Sequence, residues 1–174
     1  MRHAKTEPKL ARMTQTTPHH RPESQPLRFW RNGQLVCLNN VTPGQTLLNL
    51  LRETLRCSDT KEGCAAGDCG ACTVDIDGAA VRSCQVTIGA IEGSFVTTIE
   101  GLAENRAHPV QRAFLAANVG QCGYCIPGMI MAASVLLRRN ADPTDEQIDA
   151  AITNICRCGI YPRLRGAIKR AGRI

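Results

Sequence analysis

The sequence is poor in aromatic residues and in long apolar runs. Phe, Trp and Tyr together make up 3% of its 174 residues, so we expect small hydrophobic cores that need additional stabilisation. No apolar run approaches the about 20 residues that a membrane-spanning helix requires. Residues 1–26 contain neither the apolar segment of a secretory signal nor a twin-arginine pair. We therefore expect a cytoplasmic protein whose thiols stay reduced, with periplasmic co-export beside a partner as the alternative.

Residues 1–26 also lack hydrophobic periodicity. The segment holds four of the nine prolines and three of the four histidines, His3, His19 and His20. Such a composition is typical of disorder, so we predict a disordered tail and a folded region that begins at Leu27. We expect the three histidines to be solvated rather than bound to a metal.

Cysteine, in contrast, is abundant: the chain has ten, and eight of them fall into two groups. In the first group, Cys64, Cys69 and Cys72 have the spacing C-x4-C-x2-C, and Cys84 follows after eleven further residues. This is the ligand pattern of a plant-type [2Fe–2S] cluster. We expect the glycines at positions 63, 67 and 70 to provide the positive φ angles and the close backbone approach that such a loop needs.

Two other uses of these cysteines have to be weighed. Structural zinc also takes four thiolates, but usually from two C-x2–4-C loops rather than from three cysteines in one run and a distant fourth. Disulfides fit poorly, because cysteines this close together in a Gly-rich loop cannot all pair without strain. The spacing of the first group therefore favours an iron–sulfur cluster over zinc.

Turn and strand signals surround the first group. Asn32-Gly33 and Asp77-Gly78 are each flanked by short β-prone runs, which predicts two hairpins on two-residue turns. Thr46 is placed to cap a short helix, and residues 95–99 form a further predicted strand. The apolar face of the helix consists of Leu47, Leu48, Leu51 and Leu55. These elements predict a β-grasp, ferredoxin-like domain over residues 27–101.

The second half of the chain has the periodicity of helices. We predict helices over residues 110–117, 127–139 and 164–171, and Pro127 suits a first turn. A further helix follows Thr144, which forms a capping box with Gln147. Residues 102–174 are therefore a predicted helical domain. The fold class is α+β: a β-grasp ferredoxin-like domain followed by a small four-helix bundle.

The second group of cysteines lies at the ends of the predicted helices. Cys122 and Cys125 precede the helix at residue 127, while Cys156 and Cys158 follow the helix at residue 144. Antiparallel packing of these helices would bring the four sulfurs together. Structural zinc is an alternative for this pattern, but a second [2Fe–2S] cluster is favoured beside a ferredoxin-type loop in the same chain.

Positive charge is concentrated in the second half. Residues 27–102 hold six basic and eight acidic side chains, whereas residues 103–174 hold ten and five. A basic segment is typical of nucleic-acid binding, but Tyr161 is the only aromatic residue among the last nineteen, too few for base stacking. We expect a docking surface for a partner protein or an anionic cofactor, and no nucleic acid.

The two cysteine motifs together, residues 63–74 and residues 121–128 with 154–159, resemble the iron–sulfur subunit of the molybdenum hydroxylase (xanthine oxidase) family. The resemblance covers roughly residues 27–174. The second motif is similar to small subunits of the isoquinoline 1-oxidoreductase and nicotinate dehydrogenase type. The first motif is more similar to bacterial xanthine dehydrogenase small subunits, so the two motifs predict different substrates.

The resemblance implies a subunit that transfers electrons. A separate large subunit would carry molybdopterin, in a dinucleotide form, and oxidise a heterocycle or an aldehyde. Electrons would pass from the helical-domain cluster to the ferredoxin-like cluster and then to an external acceptor, such as a cytochrome or a flavin protein. The implied ligands are Cys122, Cys125, Cys156 and Cys158 for the first of these clusters and Cys64, Cys69, Cys72 and Cys84 for the second. Gln121 would hydrogen-bond the pterin across the interface, and Cys158 would lie close to it.

A few positions fall outside the family pattern. Thr153 stands where the family usually has Gly, and Cys37 and Cys57 match no ligand position, so we expect these two thiols to be small buried hydrophobes. Arg157 is expected either at the subunit interface or in a surface salt bridge. Two hypotheses of other classes are a free-standing ferredoxin-like carrier and a zinc-bound module that uses the basic C-terminus on nucleic acid.

Overall fold

The computed structural model describes residues 26–39, 41–42, 44–103, 105 and 107–174. The predicted disordered tail, with His3, His19 and His20, lies outside these residues except for Pro26. Within the described residues, no helix is both long and apolar enough to cross a membrane.

The first half contains one five-stranded sheet. Its strands are β1 (Leu27–Arg31), β2 (Gln34–Leu38), β3 (Thr73–Ile76), β4 (Ala79–Arg82) and β5 (Phe95–Thr97), in the order β2-β1-β5-β3-β4. Strands β1 and β5 run parallel, and the other neighbours are antiparallel. Both predicted hairpins are confirmed, because Asn32, Gly33, Asp77 and Gly78 all have the positive φ angles of a type I′ turn.

The strand predicted over residues 95–99 is shorter than expected. Strand β5 ends at Thr97, and Ile99–Gly101 form a 3-10 turn. The side chain of Asn32 explains this end: its Oδ1 accepts from the Thr98 N–H at 2.9 Å, and its Nδ2 donates to the Thr98 hydroxyl at 3.1 Å. An amide side chain thus takes the hydrogen bonds that a neighbouring strand would otherwise provide.

The capped helix is present but changes its winding. Thr46 accepts a hydrogen bond from the Asn49 N–H at 3.3 Å, which confirms the cap. Helix α1 (Leu47–Asn49) continues as a π-helical segment, Leu50–Thr54. Because of the wider turn, Leu50 as well as Leu51 is fully buried beneath the sheet, and Leu48 packs against Cys72 and Cys84. The predicted apolar face did not include Leu50.

The described residues of the second half form four helices, as predicted. They are α2 (Pro109–Ala116), α3 (Ile126–Arg139), α4 (Asp145–Ala151) and α5 (Tyr161–Ala171). The capping box of α4 is confirmed, since the Gln147 N–H donates to Thr144 and the Thr144 N–H donates to Gln147. Helix α5 begins three residues before the prediction, because Pro162 lies in its first turn, where its missing N–H costs nothing. The α+β fold class is confirmed.

Helix α3 packs on β3 and joins the two halves. Arg138, in its last turn, forms an ion pair with the buried carboxylate of Asp75 on β3. Arg139 donates to the Gly78 carbonyl at 2.7 Å, so both arginines hold the β3–β4 hairpin. The domain boundary at residues 101–102 falls between the 3-10 turn and α2 and stays a prediction.

The two cysteines outside the motifs differ from each other. Cys57 is buried, as predicted, and burial raises the pKa of its thiol. The prediction for Cys37 is wrong, because its side chain is exposed. Cys37 lies opposite the exposed Arg28 in the β1–β2 hairpin, so both residues occupy the solvent face of the sheet.

Candidate metal centres at the junction of the two halves

The first cysteine loop turns its backbone N–H groups towards sulfur. The Cys64 N–H donates to the Cys69 sulfur at 3.3 Å, and the Cys64 sulfur accepts from the N–H groups of Ala66 at 3.4 Å and Cys69 at 3.3 Å. These bonds, that of Cys69 first, lower the pKa of Cys64 to about 7. The loop therefore favours the thiolate, which is the form that binds iron.

The glycines of this loop contribute in two ways. Gly67 and Gly70 have positive φ angles of 90° and 73°, as expected. Gly63 does not, and its role is close approach, because an added Cβ would lie 2.5 Å from the Cys69 sulfur. Ala65 also has a positive φ, of 54°, a conformation that the sequence did not predict for a residue with a side chain.

The β3–β4 hairpin supplies the other two thiols of the first group. Cys72 precedes β3 and Cys84 follows β4, and both are buried against Leu48. The Ser83 hydroxyl donates to the Cys72 carbonyl at 2.8 Å and fixes the two chain ends together. Burial raises the pKa of Cys72, so this half of the site is drier than the Cys64 loop.

The second group surrounds the start of α3. Cys125 is the N-cap residue of α3, and its thiol lies close to Cys156 from the loop between α4 and α5. Cys122 and Cys158 form the corresponding second pair. Burial, and then the contact with Cys156, raise the pKa of Cys125 to about 12. Cys125 thus lies beside Cys156 and Cys122 beside Cys158, while the convergence of all four sulfurs at the helix ends stays a prediction.

The donor set fits two-iron clusters. In a [2Fe–2S] cluster with four thiolates, each iron takes two of them. The thiols are arranged in this way, with Cys64 beside Cys69, Cys72 beside Cys84, and the two pairs of the second group. Thiols arranged in pairs favour a cluster with two irons over zinc, which would require four ligands around one ion.

The two cysteine loops are in direct contact. The Ile155 N–H donates to the Cys69 carbonyl at 2.9 Å, and the buried Asn154 side chain donates to the Gly70 carbonyl at 2.7 Å. Gly128 in α3 is so close that an added Cβ would lie 2.3 Å from the Gly70 oxygen. The hydrogen bond between Ile155 and Cys69 therefore joins one predicted ligand, Cys69, to the residue that precedes another, Cys156.

Sequence reasoning missed the residues that make this junction. Asn154 and Ile155 lie within the second motif, but the motif does not reveal that they contact the first loop. Tyr124 is also in the motif, and its hydroxyl donates to the Glu62 carbonyl. Gly128 carried a local signal, since a glycine inside a helix usually has a packing reason.

Gln121 is one of the residues that line a cavity between the two halves. The cavity has a volume of ≈ 740 Å³ and is lined in part by Lys61, Gln111, Phe114, Gln121 and Pro127. Gln111 is buried, and its Oε1 has no hydrogen-bond partner among the described residues. Gln121 itself is exposed, as are Tyr124, Ile155 and Arg157. We call these four exposed residues the cysteine-loop face.

The basic C-terminal helix is partly neutralised within the chain. Arg165 forms two hydrogen bonds of 2.8 Å with Asp149, which lower the pKa of that carboxyl. Lys169 pairs with Asp145 at 2.7 Å. Arg157 has no ion pair in the described part of the chain. The role of Arg157 at the subunit interface stays a prediction.

Two protein families match the chain. A 2Fe-2S iron-sulfur cluster binding domain matches residues 31–103, and a [2Fe-2S] binding domain matches residues 98–169. The chain is 48% identical to the alpha subunit of isoquinoline 1-oxidoreductase of Brevundimonas diminuta, over 84% of this chain and 97% of the relative. It is 46% identical to a nicotinate dehydrogenase subunit of Pseudomonas putida, over 80% and 90%. The chain belongs to the small iron–sulfur subunits of the molybdenum hydroxylases.

Solved structures show the same fold both as a separate chain and as part of a longer chain. Quinoline 2-oxidoreductase from Pseudomonas putida matches with a TM-score of 0.77 and 31% identity, over 87% of this chain and 98% of that chain. Aldehyde oxidoreductase from Desulfovibrio desulfuricans matches with a TM-score of 0.81 and 37% identity, but over 17% of that chain. This iron–sulfur subunit thus corresponds to a separate chain in one enzyme and to a small part of a longer chain in the other.

The family membership confirms several predictions. The subunit carries two [2Fe–2S] clusters and transfers electrons as part of an oxidoreductase, and its partner is a large molybdopterin subunit. The free-standing carrier and the zinc-bound nucleic-acid module are not favoured. Of the two substrate hints in the sequence, the one from the second motif agrees with the names of the relatives above.

The metal content gives a first test. We expect about four irons and about four labile sulfides per chain after full reconstitution, because two [2Fe–2S] clusters contain this number. Colorimetric iron and sulfide assays on the purified full chain measure it, with apoprotein as the blank. A plateau at two irons would show that one of the two cysteine groups does not hold a cluster.

Proposed function

We propose that the helical half receives electrons from the molybdopterin subunit, while the ferredoxin-like half delivers them to an external acceptor. The ligands of the helical centre are then Cys122, Cys125, Cys156 and Cys158. Those of the ferredoxin-like centre are Cys64, Cys69, Cys72 and Cys84. Each cluster, when bound, supplies a centre that accepts and gives up one electron. The observation that carries the proposal is the Ile155–Cys69 hydrogen bond of 2.9 Å, which joins the two sets of ligands.

The chain supports this role by the way it holds its thiols. Backbone N–H groups point at the sulfurs of Cys64 and Cys69, and such bonds stabilise negative charge on sulfur and tune the reduction potential. Cys72, Cys84 and Cys125 are buried, which excludes water from the inner side of both centres. The junction around Asn154 fixes the two loops against each other, so little rearrangement accompanies a change of charge.

The cysteine-loop face is the surface we assign to the molybdopterin subunit. Gln121, Tyr124, Ile155 and Arg157 are all exposed around the second cysteine group. The amide of Gln121 can both donate to and accept from the polar edge of a pterin, and Arg157 suits the phosphates of a dinucleotide form. Cys158 directly follows Arg157 in the same loop, so we place it close to the same cofactor.

The names of the relatives suggest the substrate class. Two relatives that match over nearly their whole length are named for isoquinoline and for nicotinate, both nitrogen heterocycles. We therefore favour a heterocycle as the substrate of the partner subunit, with an aldehyde as the alternative. We favour a cytochrome or a flavin protein as the external acceptor. We favour the cytoplasm as the compartment, because thiols stay reduced there and can bind iron, with periplasmic co-export beside the partner as the alternative.

Gln121→Ala tests the proposed interface. We expect both clusters to assemble, but reduction of the clusters by substrate to slow about 2- to 10-fold, the equivalent of a lost hydrogen bond of about 0.5–1.5 kcal/mol. Stopped-flow absorbance of the complex measures the rate. Reduction by dithionite, which does not pass through the partner, should be unchanged.

Gln34→Ala is the matched control, since Gln34 is an exposed glutamine on β2 of the other half. It should leave the rate of reduction by substrate unchanged. Equal rates in the two variants would show that the molybdopterin subunit does not dock at Gln121.

A further inference from the structure

Arg82, the last residue of β4, lies between the two cysteine loops. Its guanidinium donates to the Thr73 hydroxyl at 2.5 Å and to the Thr153 hydroxyl at 2.7 Å. Its Cζ lies 2.7 Å from the place where a Cβ on Gly70 would be. Thr73 and Gly70 belong to the ferredoxin-like half, and Thr153 belongs to the helical half. The side chain therefore spans the junction.

Each residue that the Arg82 guanidinium contacts is close in sequence to a proposed cluster ligand. Gly70 lies between Cys69 and Cys72, and Thr73 directly follows Cys72. On the other side, Thr153 precedes Cys156 by three residues, and Arg82 itself precedes Cys84 by two. The φ of 73° at Gly70 favours glycine, and an added Cβ there would force Arg82 and Asn154 to shift.

The charge of Arg82 is not cancelled by a neighbouring carboxylate. Arg138 pairs with Asp75 and Arg165 pairs with Asp149, whereas the acceptors of Arg82 are two neutral hydroxyl groups. In the described part of the chain, no carboxylate lies within 4.0 Å of it. Arg82 is also half-buried, so water screens its charge less than that of a surface arginine.

We propose that Arg82 is a positioning residue for electron transfer, whose fixed positive charge raises the reduction potential of the ferredoxin-like centre above that of the helical centre. A one-electron reduction adds one negative charge to a centre, and a nearby cation stabilises the reduced form. Arg82 belongs to β4, two residues before Cys84, and its acceptor Thr73 directly follows Cys72, so we expect the larger effect on the ferredoxin-like centre. An electron that reaches the helical half is therefore drawn onward. The inference rests on the proposed assignment of the ligands.

Thr153 is the residue that holds this cation on the helical side. Its hydroxyl accepts from Arg82 at 2.7 Å and fixes the side chain across the junction. A glycine at this position has no side chain with which to hold a guanidinium. Thr153→Gly should therefore loosen Arg82 without removing its charge, and Thr153→Ser should keep the contact.

The test compares Arg82→Met with Arg28→Met in the full reconstituted chain. Arg28 is exposed on β1, and its backbone N–H donates to Glu92, outside both cysteine loops. Arg28→Met therefore removes one positive charge from the ferredoxin-like half, as Arg82→Met does. The fraction of each centre reduced is measured by EPR at controlled potentials. In Arg82→Met, we expect the preference of the electron for the ferredoxin-like centre to fall about tenfold, which is about 59 mV for a one-electron couple. Arg28→Met should keep the parent value.

Three further variants separate the effect of the charge from that of the structure. Arg82→Lys should restore most of the preference, and Thr153→Gly should lose part of it while Thr153→Ser retains it. Unchanged potentials in Arg82→Met, with all iron present, would overturn the inference. If Arg82→Met does not assemble, equal potentials in Thr153→Gly and the parent chain would overturn it instead. Retention of all iron in Cys72→Ser would overturn the ligand assignment, which is a separate result.

Discussion

Cys125→Ser is expected to remove the helical centre, so that the purified subunit carries about half of the iron of the parent chain. The thiolate is the ligand that iron requires, and a hydroxyl does not replace it. Cys125 is buried at the start of α3 and pairs with Cys156, so no other thiol can take its place. In the complex, substrate should then reduce the remaining ferredoxin-like centre hardly at all, because its source of electrons is cut off.

Cys72→Ser is the matched change on the other side. It should also lose about half of the iron, but substrate should still reduce the remaining helical centre at the parent rate, and delivery to the acceptor should fall. Cys37→Ser, at an exposed thiol outside both groups, should keep all iron and both rates. Equal rates of substrate reduction in Cys125→Ser and Cys72→Ser would show that the proposed order of the two halves is wrong.

Local features of the structure could be predicted from the sequence because short-range chemistry decides them. Asn32-Gly33 and Asp77-Gly78 tolerate positive φ, so both hairpins form where expected. Thr144 caps α4 because its hydroxyl reaches the free N–H of Gln147. The spacing of the cysteines likewise identified the first group, since C-x4-C-x2-C with a distant fourth cysteine is the ligand pattern of a plant-type cluster.

The junction between the halves could not be predicted, because it depends on residues far apart in the sequence. Asn154 reaches Gly70 across 84 positions, and Arg82 reaches Thr153 across 71. No periodicity or turn signal records such contacts. The same limit explains why the prediction of a buried Cys37 was wrong. The position of Cys37 in β2 was predicted. Which face of the sheet is covered by the core, however, depends on the packing of α1 and its π-helical extension.

Gly128→Ala is expected to disturb both centres at once, although it changes no cysteine. A Cβ at this position would lie 2.3 Å from the Gly70 oxygen and 3.0 Å from the Ala71 oxygen. Both are backbone atoms of the loop that carries Cys69 and Cys72, so the collision cannot be relieved by turning a side chain. Helix α3 would have to move away from the loop, and Cys125 at its start would move with it.

The expected cost of Gly128→Ala is that of overpacking, about 1–3 kcal/mol. For a chain of this size, the apparent melting temperature should fall by about 2–4 °C for each kcal/mol. Iron should be lost from both centres on dilution. Thermal unfolding followed by circular dichroism, together with iron analysis after gel filtration, measures both effects.

Gly166→Ala is the control, because it is the same substitution in another helix. Gly166 lies in α5, is exposed, and has no heavy atom within 4 Å of an added Cβ. There the substitution should raise stability by up to about 1 kcal/mol, since alanine favours the helix over glycine. Opposite signs in the two variants would separate the collision at Gly70 from helix propensity. A melting temperature of Gly128→Ala at or above that of the parent chain would show that α3 does not press on the cysteine loop.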